Sequence, residues 1–123
     1  MKTANILIVD DSAYARRLLK GTLEQAGHTV TEASSGMTAI ESYFLNRPDV
    51  VLLDLTMEDM SGVDVLRRLK EIDDTARVIV ISADVQASTE GVVKDAGALS
   101  FVGKPATPQT VLREVQGALG RES

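Results

Sequence analysis

The chain has no cysteine and no tryptophan, a single histidine, and three prolines in 123 residues. Without cysteine there is no disulfide, no thiol nucleophile and no thiolate metal site, and no positive sign of secretion. One histidine, with neither a second nor a cysteine to join it, leaves no Ser/His triad and no zinc site to build. That residue, His28, follows Gly27 in a predicted helix-to-strand turn and reads as a surface residue. Also missing is any apolar run near the roughly 20 residues that cross a bilayer, and Met1-Lys2-Thr3-Ala4 leads into a short apolar stretch without a signal-peptide layout. A cytoplasmic protein without a membrane partner is expected. Aromatics make up 3% of the chain and the net charge is −5, with Lys and Arg gathered no further than Arg16-Arg17 and Arg67-Arg68. Both pairs sit in helical patterns and read as solvated faces, so neither a basic groove nor a stacking platform exists for nucleic acid.

What is present is an ordinary apolar fraction for one well-packed core, which makes residues 1–123 a single domain. Asn5-Ile6-Leu7-Ile8-Val9 is a β-branched apolar run that stops at Asp10-Asp11-Ser12. Ser12 can cap a helix carrying Ala15, Leu18, Leu19, Leu23 and Ala26 on its apolar face, ended by Gly27. His28 to Ala33 alternates as an edge strand would. A second helix runs from Met37 to Leu45, with Met37, Ile40 and Phe44 on its inner side, until Asn46-Arg47-Pro48-Asp49 breaks it. Val50-Val51-Leu52-Leu53-Asp54 is a strand buried on both faces yet ending in an acid. A loop over Thr56–Gly62 leads to a helix with Val65, Leu66, Leu69 and Ile72 inward. Val78-Ile79-Val80-Ile81 ends at Ser82-Ala83-Asp84, and its helix places Val92, Val93 and Ala96 on one side before Gly97. Leu99 to Val102 is the last strand, ending at Gly103-Lys104-Pro105. Thr107-Pro108 then caps a helix with Val111, Leu112, Val115 and Leu119 inward. Five strand–helix alternations imply a parallel sheet with right-handed crossovers and helices on both faces, and ligands in such sheets bind at the carboxyl ends of the strands.

Four strands end in chemistry-bearing residues: Asp10 and Asp11, Asp54, Ser82, and Lys104. Singly, each has a plainer role, as a helix cap, a strand end or a solubilising edge charge. Together they do not, because carboxylates gathered at one edge repel by about 4 kcal/mol per close pair at an effective dielectric near 20. A cation is required. Oxygen donors with room for water describe magnesium better than calcium. Magnesium beside a carboxylate, a hydroxyl and a lysine describes phosphoryl transfer, with Asp54 attacking, Ser82 donating a hydrogen bond, and Lys104 neutralising the moving oxygens.

With these residues in place, the chain resembles a response-regulator receiver domain of two-component signalling, closest in layout to the stand-alone chemotaxis regulators. The resemblance rests on Ile8-Val9-Asp10-Asp11, Leu53-Asp54-Leu55-Thr56-Met57, Ile81-Ser82-Ala83 and Lys104-Pro105, in the family's order and approximate spacing. It implies a flavodoxin-like three-layer α/β fold with strand order 2-1-3-4-5. It implies that Asp54 takes a phosphoryl group from a sensor histidine kinase, and that Asp11, Asp54 and the backbone carbonyl of Thr56 bind magnesium directly while Asp10 acts through water. Ser82 and Phe101 become a switch, Thr56 and Asp84 tune water attack on the phosphoryl group, and the Lys104–Pro105 peptide is cis. A downstream protein would read the state on the surface of the fourth helix, fifth strand and fifth helix, with the chain a monomer or a phosphorylation-dependent dimer. The family usually has proline where this chain has Glu58, so the loop gains an acid and loses a rigid turn.

Because the chain stops at Gly120-Arg121-Glu122-Ser123, the expectation is a phosphorylation-controlled binding module, not an enzyme, without an appended output domain. A receiver cut from a longer regulator or hybrid kinase would look the same. A phosphate-independent pseudo-receiver is disfavoured by the complete residue set. A magnesium phosphohydrolase of the haloacid-dehalogenase type is disfavoured because Thr56 stands where those enzymes place a second acid.

Overall fold

Three strands are closed to solvent on nearly every residue: β1 (Asn5–Val9), β3 (Val50–Asp54) and β4 (Val78–Ser82). Side chains of alternating direction that are all apolar require cover on both faces, and helices provide it. In the computed structural model, which describes residues 3–120, these strands lie in the middle of a five-stranded parallel sheet of order β2-β1-β3-β4-β5. The outer strands are β2 (Thr29–Ala33) and β5 (Ser100–Gly103), and β2 shows the exposure expected of an edge. The helices are α1 (Ala13–Gln25), α2 (Gly36–Asn46), α3 (Gly62–Ile72), α4 (Ala87–Asp95) and α5 (Pro108–Leu119). Two buried clusters result. One lies under α2, α3 and α4 around Leu7, Leu53, Leu66 and Val80; the other lies under α1 and α5 around Ile6, Ile8, Leu52 and Val115. The fold is therefore the flavodoxin-like sandwich expected from the alternation. Arg121, Glu122 and Ser123, on which the expectation about the chain's end rests, lie outside the described residues, as do Met1 and Lys2.

Local chemistry explains the boundaries. Ser12, Ser35, Ser61 and Thr107 each accept a hydrogen bond from a backbone N–H in the first turn of the helix they precede. Gly27 and Gly97 follow α1 and α4 at φ of 93° and 108°, a region a Cβ disfavours. Arg47 takes the left-handed position after α2 at φ 46°, an unusual residue for it. Its guanidinium lies 5.8 Å from the ring centroid of Tyr43 and 3.6 Å from Asp73 Oδ2.

Four helix-face assignments and one histidine need correction. On α2 the inner stripe is Gly36, Ala39 and Tyr43, one residue back from the expected Met37, Ile40 and Phe44. Met37 and Phe44 are largely exposed, while Ile40 is half-buried and packs against the core as expected. The small residues let α2 approach the sheet, and the Tyr43 hydroxyl reaches an acceptor by donating to Asp73 at 2.8 Å. Leu18 on α1 and Val92 on α4 likewise face outward, leaving Leu23 and Val93 as the buried residues of those helices.

His28 is buried, with 4% of its surface exposed, not on the surface as its turn position suggested. Its Nδ1 accepts a hydrogen bond from the Ala4 N–H at 3.1 Å, while Nε2 is buried without a partner among the described residues. The ring is thus held neutral, and burial lowers its pKa from the usual 6.5. The unfolded chain therefore binds the proton first, so the stabilisation from His28 is complete above pH 6.5 and is lost as the pH falls below it. Urea unfolding between pH 7.5 and 5.5 is expected to show a falling midpoint in the wild type and a flatter one in His28→Asn, which keeps an acceptor and cannot titrate. Parallel slopes in the two proteins would remove His28 from the acid response.

Candidate functional site

The strand order places the carboxyl ends of β1, β3, β4 and β5 side by side, and the four strand ends singled out by sequence meet there. Asp10 and Asp54 are buried, with 2% and 7% of their surfaces exposed, while Asp11 is open to solvent. One carboxylate oxygen from each of the three lies within 4.8 Å of the other two. Lys104 reaches in from the end of β5, with Nζ 3.2 Å from Asp10 Oδ2 and 3.4 Å from Asp54 Oδ1. Its own N–H donates to the Ser82 carbonyl at 2.9 Å, which fixes its start point beside β4. The Lys104–Pro105 peptide is cis.

The charges at this edge pull in opposite directions. Burial raises the pKa of Asp54 above the usual carboxylate value and the neighbouring Asp10 raises it further, while Lys104 and the Thr56 N–H oppose the shift. Burial alone would lower Lys104, but Asp54 and Asp10 outweigh it and hold the ammonium form. Asp10 is tied down as well: its Oδ1 accepts from the Ser12 N–H at 2.9 Å, and its carbonyl accepts from Arg16 Nη1 at 2.7 Å. Three carboxylates against one ammonium leave two formal negative charges. A hard divalent cation fits that deficit and that set of oxygen donors, and magnesium fits better than a softer metal because nitrogen and sulfur ligands are absent from the cluster.

The remaining residues occupy the rim. Ser82 is buried, and its Oγ accepts a hydrogen bond from the Asp84 N–H at 3.0 Å, so the hydroxyl is engaged with its own loop. Asp84 is exposed, accepting from the Gln86 N–H at 3.1 Å and the Thr89 hydroxyl at 2.7 Å, and these bonds hold its pKa below the usual carboxylate value. Phe101, three residues before Lys104, is half-buried against the cluster under α4. Thr56 and Glu58 are exposed on the loop after β3.

Two features of the surroundings were not read from the sequence. One is a cavity of about 390 Å³ beside Asp10 and Lys104, walled by Tyr14, Leu18, Leu19 and Pro105. The outward placement of Tyr14 and Leu18 follows from the helical phase that buries Leu23, so counting back from the buried residue gives the signal. The other is Asp59, whose two carboxylate oxygens accept from the N–H groups of Gly36 and Met37 at 2.9 and 3.0 Å. A partner 23 residues away in sequence leaves no local pattern to detect.

A doubly wound sheet with a paired acid–lysine edge and a hydroxyl at the next strand end belongs to the class of domains suited to hold a cation and a phosphate at the carboxyl ends of their strands. The chain belongs to the response regulator receiver domain family, whose profile matches residues 6–116. It is 40% identical over 108 residues to the chemotaxis protein CheY of Thermotoga maritima, spanning 87% of this chain and 90% of that one. It is also 40% identical over 115 residues to CheY of Bacillus subtilis, spanning 93% and 96%. Among solved structures, the CheX–CheY–BeF3–Mg complex from Borrelia burgdorferi superposes with a TM-score of 0.91 at 32% identity, covering 95% of this chain and 90% of that one. Receiver domains of this family belong to two-component systems and phosphorelays and bind magnesium in their acidic pocket.

The backbone around Asp54 leaves no room for a side chain on the first residue of α3. A Cβ on Gly62 would press on the Leu55 Cα, and would lie 2.9 Å from the Asp54 carbonyl oxygen. Gly62→Ala is therefore expected to destabilise the protein by roughly 2 kcal/mol, since backbone cannot yield as a side chain tip does. Urea denaturation measures this directly, and a wild-type midpoint would show that the loop shifts freely.

Proposed function

We propose that residues 1–123 act as a single receiver unit in the cytoplasm, taking a phosphoryl group from a sensor histidine kinase on Asp54 and signalling through altered affinity for a partner protein. The observation that carries this reading is the edge itself: the buried Asp54 stands beside Asp10 and Asp11, with the Lys104 ammonium 3.4 Å from its Oδ1. The unit works through binding, as a monomer or as a dimer formed on phosphorylation.

In the transfer, one Asp54 carboxylate oxygen attacks the phosphorus of a phosphohistidine. A P–O bond forms as the P–N bond breaks, and the departing imidazole nitrogen keeps the electron pair and takes a proton from solvent. Lys104 lies where it can neutralise an oxygen of the moving group, and Asp10 holds Lys104 in place. Asp11, Asp54 and the Thr56 carbonyl would hold magnesium directly and Asp10 through water; the ion would supply further charge neutralisation to the phosphoryl oxygens. The apolar cavity of Tyr14, Leu18, Leu19 and Pro105 opens next to Asp10 and Lys104, which suits it to receive the apolar surface of the donor.

Phosphorylation adds roughly −1.5 to −2 charges at the edge. Ser82 then donates a hydrogen bond from its hydroxyl to the new oxygens, and Phe101 closes into the space left behind. Thr56 after β3 and Asp84 after β4 set the access of water. The readout surface is α4, β5 and α5. The chain is a switch whose only chemistry is on itself.

Incubation with acetyl phosphate and magnesium is expected to add one phosphoryl group by intact mass, stable in acid and lost in base. Asp54→Asn should gain none, and a chelator should prevent the gain in the wild type. An unmodified wild type that nevertheless binds magnesium would overturn the mechanism.

A further inference from the structure

The loop that follows Asp54, residues 55–61, contains no proline, and it carries Thr56 and Glu58, both exposed. Three contacts hold it. The Gly62 N–H donates to the Leu55 carbonyl at 3.0 Å and closes the loop on itself. The Met60 side chain lies over Gly36, in the space a Cβ there would need. Asp59 then clamps both carboxylate oxygens onto the Gly36 and Met37 N–H groups, the first two residues of α2, at 2.9 and 3.0 Å. Those bonds hold the Asp59 carboxyl below the usual carboxylate pKa.

α2 has a cap of its own. The Ser35 Oγ accepts from the Thr38 N–H at 3.2 Å, and Thr38 Oγ1 accepts from the Ser35 N–H at 3.2 Å. This reciprocal box leaves the Gly36 and Met37 N–H groups for another acceptor, and the acceptor comes from the site loop. The geometry points to Asp59 as a positioning residue: by latching the loop to α2, it fixes the backbone that runs from Asp54 through Thr56 to Gly62. This rests on the phosphoacceptor reading above. The helix end is a rigid anchor whose positive end favours a carboxylate, so the latch does here what a proline would do by restricting φ.

The test compares two losses of capping at the same helix end. Asp59→Ala removes the latch, whereas Ser35→Ala removes only the helix's own cap. Both should lower the thermal midpoint. Only Asp59→Ala should weaken magnesium binding, by about tenfold in calorimetry, as loss of a residue that orients metal ligands does. It should also slow phosphoryl uptake from acetyl phosphate and speed amide exchange at Gly36 and Met37. Asp59→Asn, which keeps one acceptor oxygen, should fall between it and the wild type. Wild-type magnesium affinity in Asp59→Ala, or in Asp59→Asn if the alanine variant does not fold, would reduce Asp59 to a helix cap and overturn the inference. A wild type that takes up neither magnesium nor phosphoryl would instead overturn the phosphoacceptor reading, and the latch with it.

Discussion

The fold tolerates buried acids at the sheet edge because one ammonium stands between two of them. Lys104 lies 3.2 Å from Asp10 and 3.4 Å from Asp54, and each of these partners is almost sealed from water. Removing a buried charge from its partner leaves it uncompensated, a loss of about 3–5 kcal/mol in comparable pairs. The sheet order brings this arrangement about: β1 and β3 are adjacent, and β5 lies one strand beyond β4, so the long lysine side chain reaches back across the Ser82 end. The two formal negative charges left over are what make the edge a place for a divalent cation and, with it, for phosphate.

The rest of the acidic excess holds loops in place. Asp49 accepts from the Asn5 N–H at 2.8 Å at the opposite end of the sheet, Asp73 receives the Tyr43 and Thr75 hydroxyls after α3, and Asp84 ties the end of β4 to α4. Asp59 belongs with these, although it reaches between elements where Asp84 stays local. A carboxylate is well suited to this work, since it accepts several hydrogen bonds and donates none. Part of the acidic excess behind the net charge of −5 is thus engaged in internal bonding.

How much was legible in the sequence follows the same physics. Strands buried on both faces announce themselves as unbroken apolar runs, so β1, β3 and β4, with the acids after β1 and at the end of β3 and the serine at the end of β4, could be placed from the residue order, and parallel topology then brought those ends together. Helices are harder, because a shift of one residue turns the face by about 100° and several shifts can look equally apolar. On α2 the stripe Met37, Ile40, Phe44 is the more hydrophobic choice, yet Gly36, Ala39 and Tyr43 face inward because close approach and a hydroxyl acceptor decided the phase. His28 escaped for a related reason: its burial depends on an acceptor role toward Ala4, 24 residues away. Long-range polar pairs of this kind have no period and so leave no trace in the sequence.

The bonds around Ser82 suggest how a change at Asp54 would travel. Ser82 Oγ accepts the Asp84 N–H, and Asp84 in turn accepts from Gln86 and Thr89 in the first turn of α4, whose own cap residue, Gln86, makes no side-chain bond. The start of α4 thus hangs from the end of β4 through one aspartate. If Asp54 carries a phosphoryl group, as proposed, the Ser82 hydroxyl must turn toward it, and the bond that steadies Asp84 weakens as it does so. Val93 is the one fully buried residue of α4, as Leu23 is of α1. On the proposed reading, a charge added at Asp54 is in this way felt at the start of α4, a helix that places a single fully buried side chain in the core.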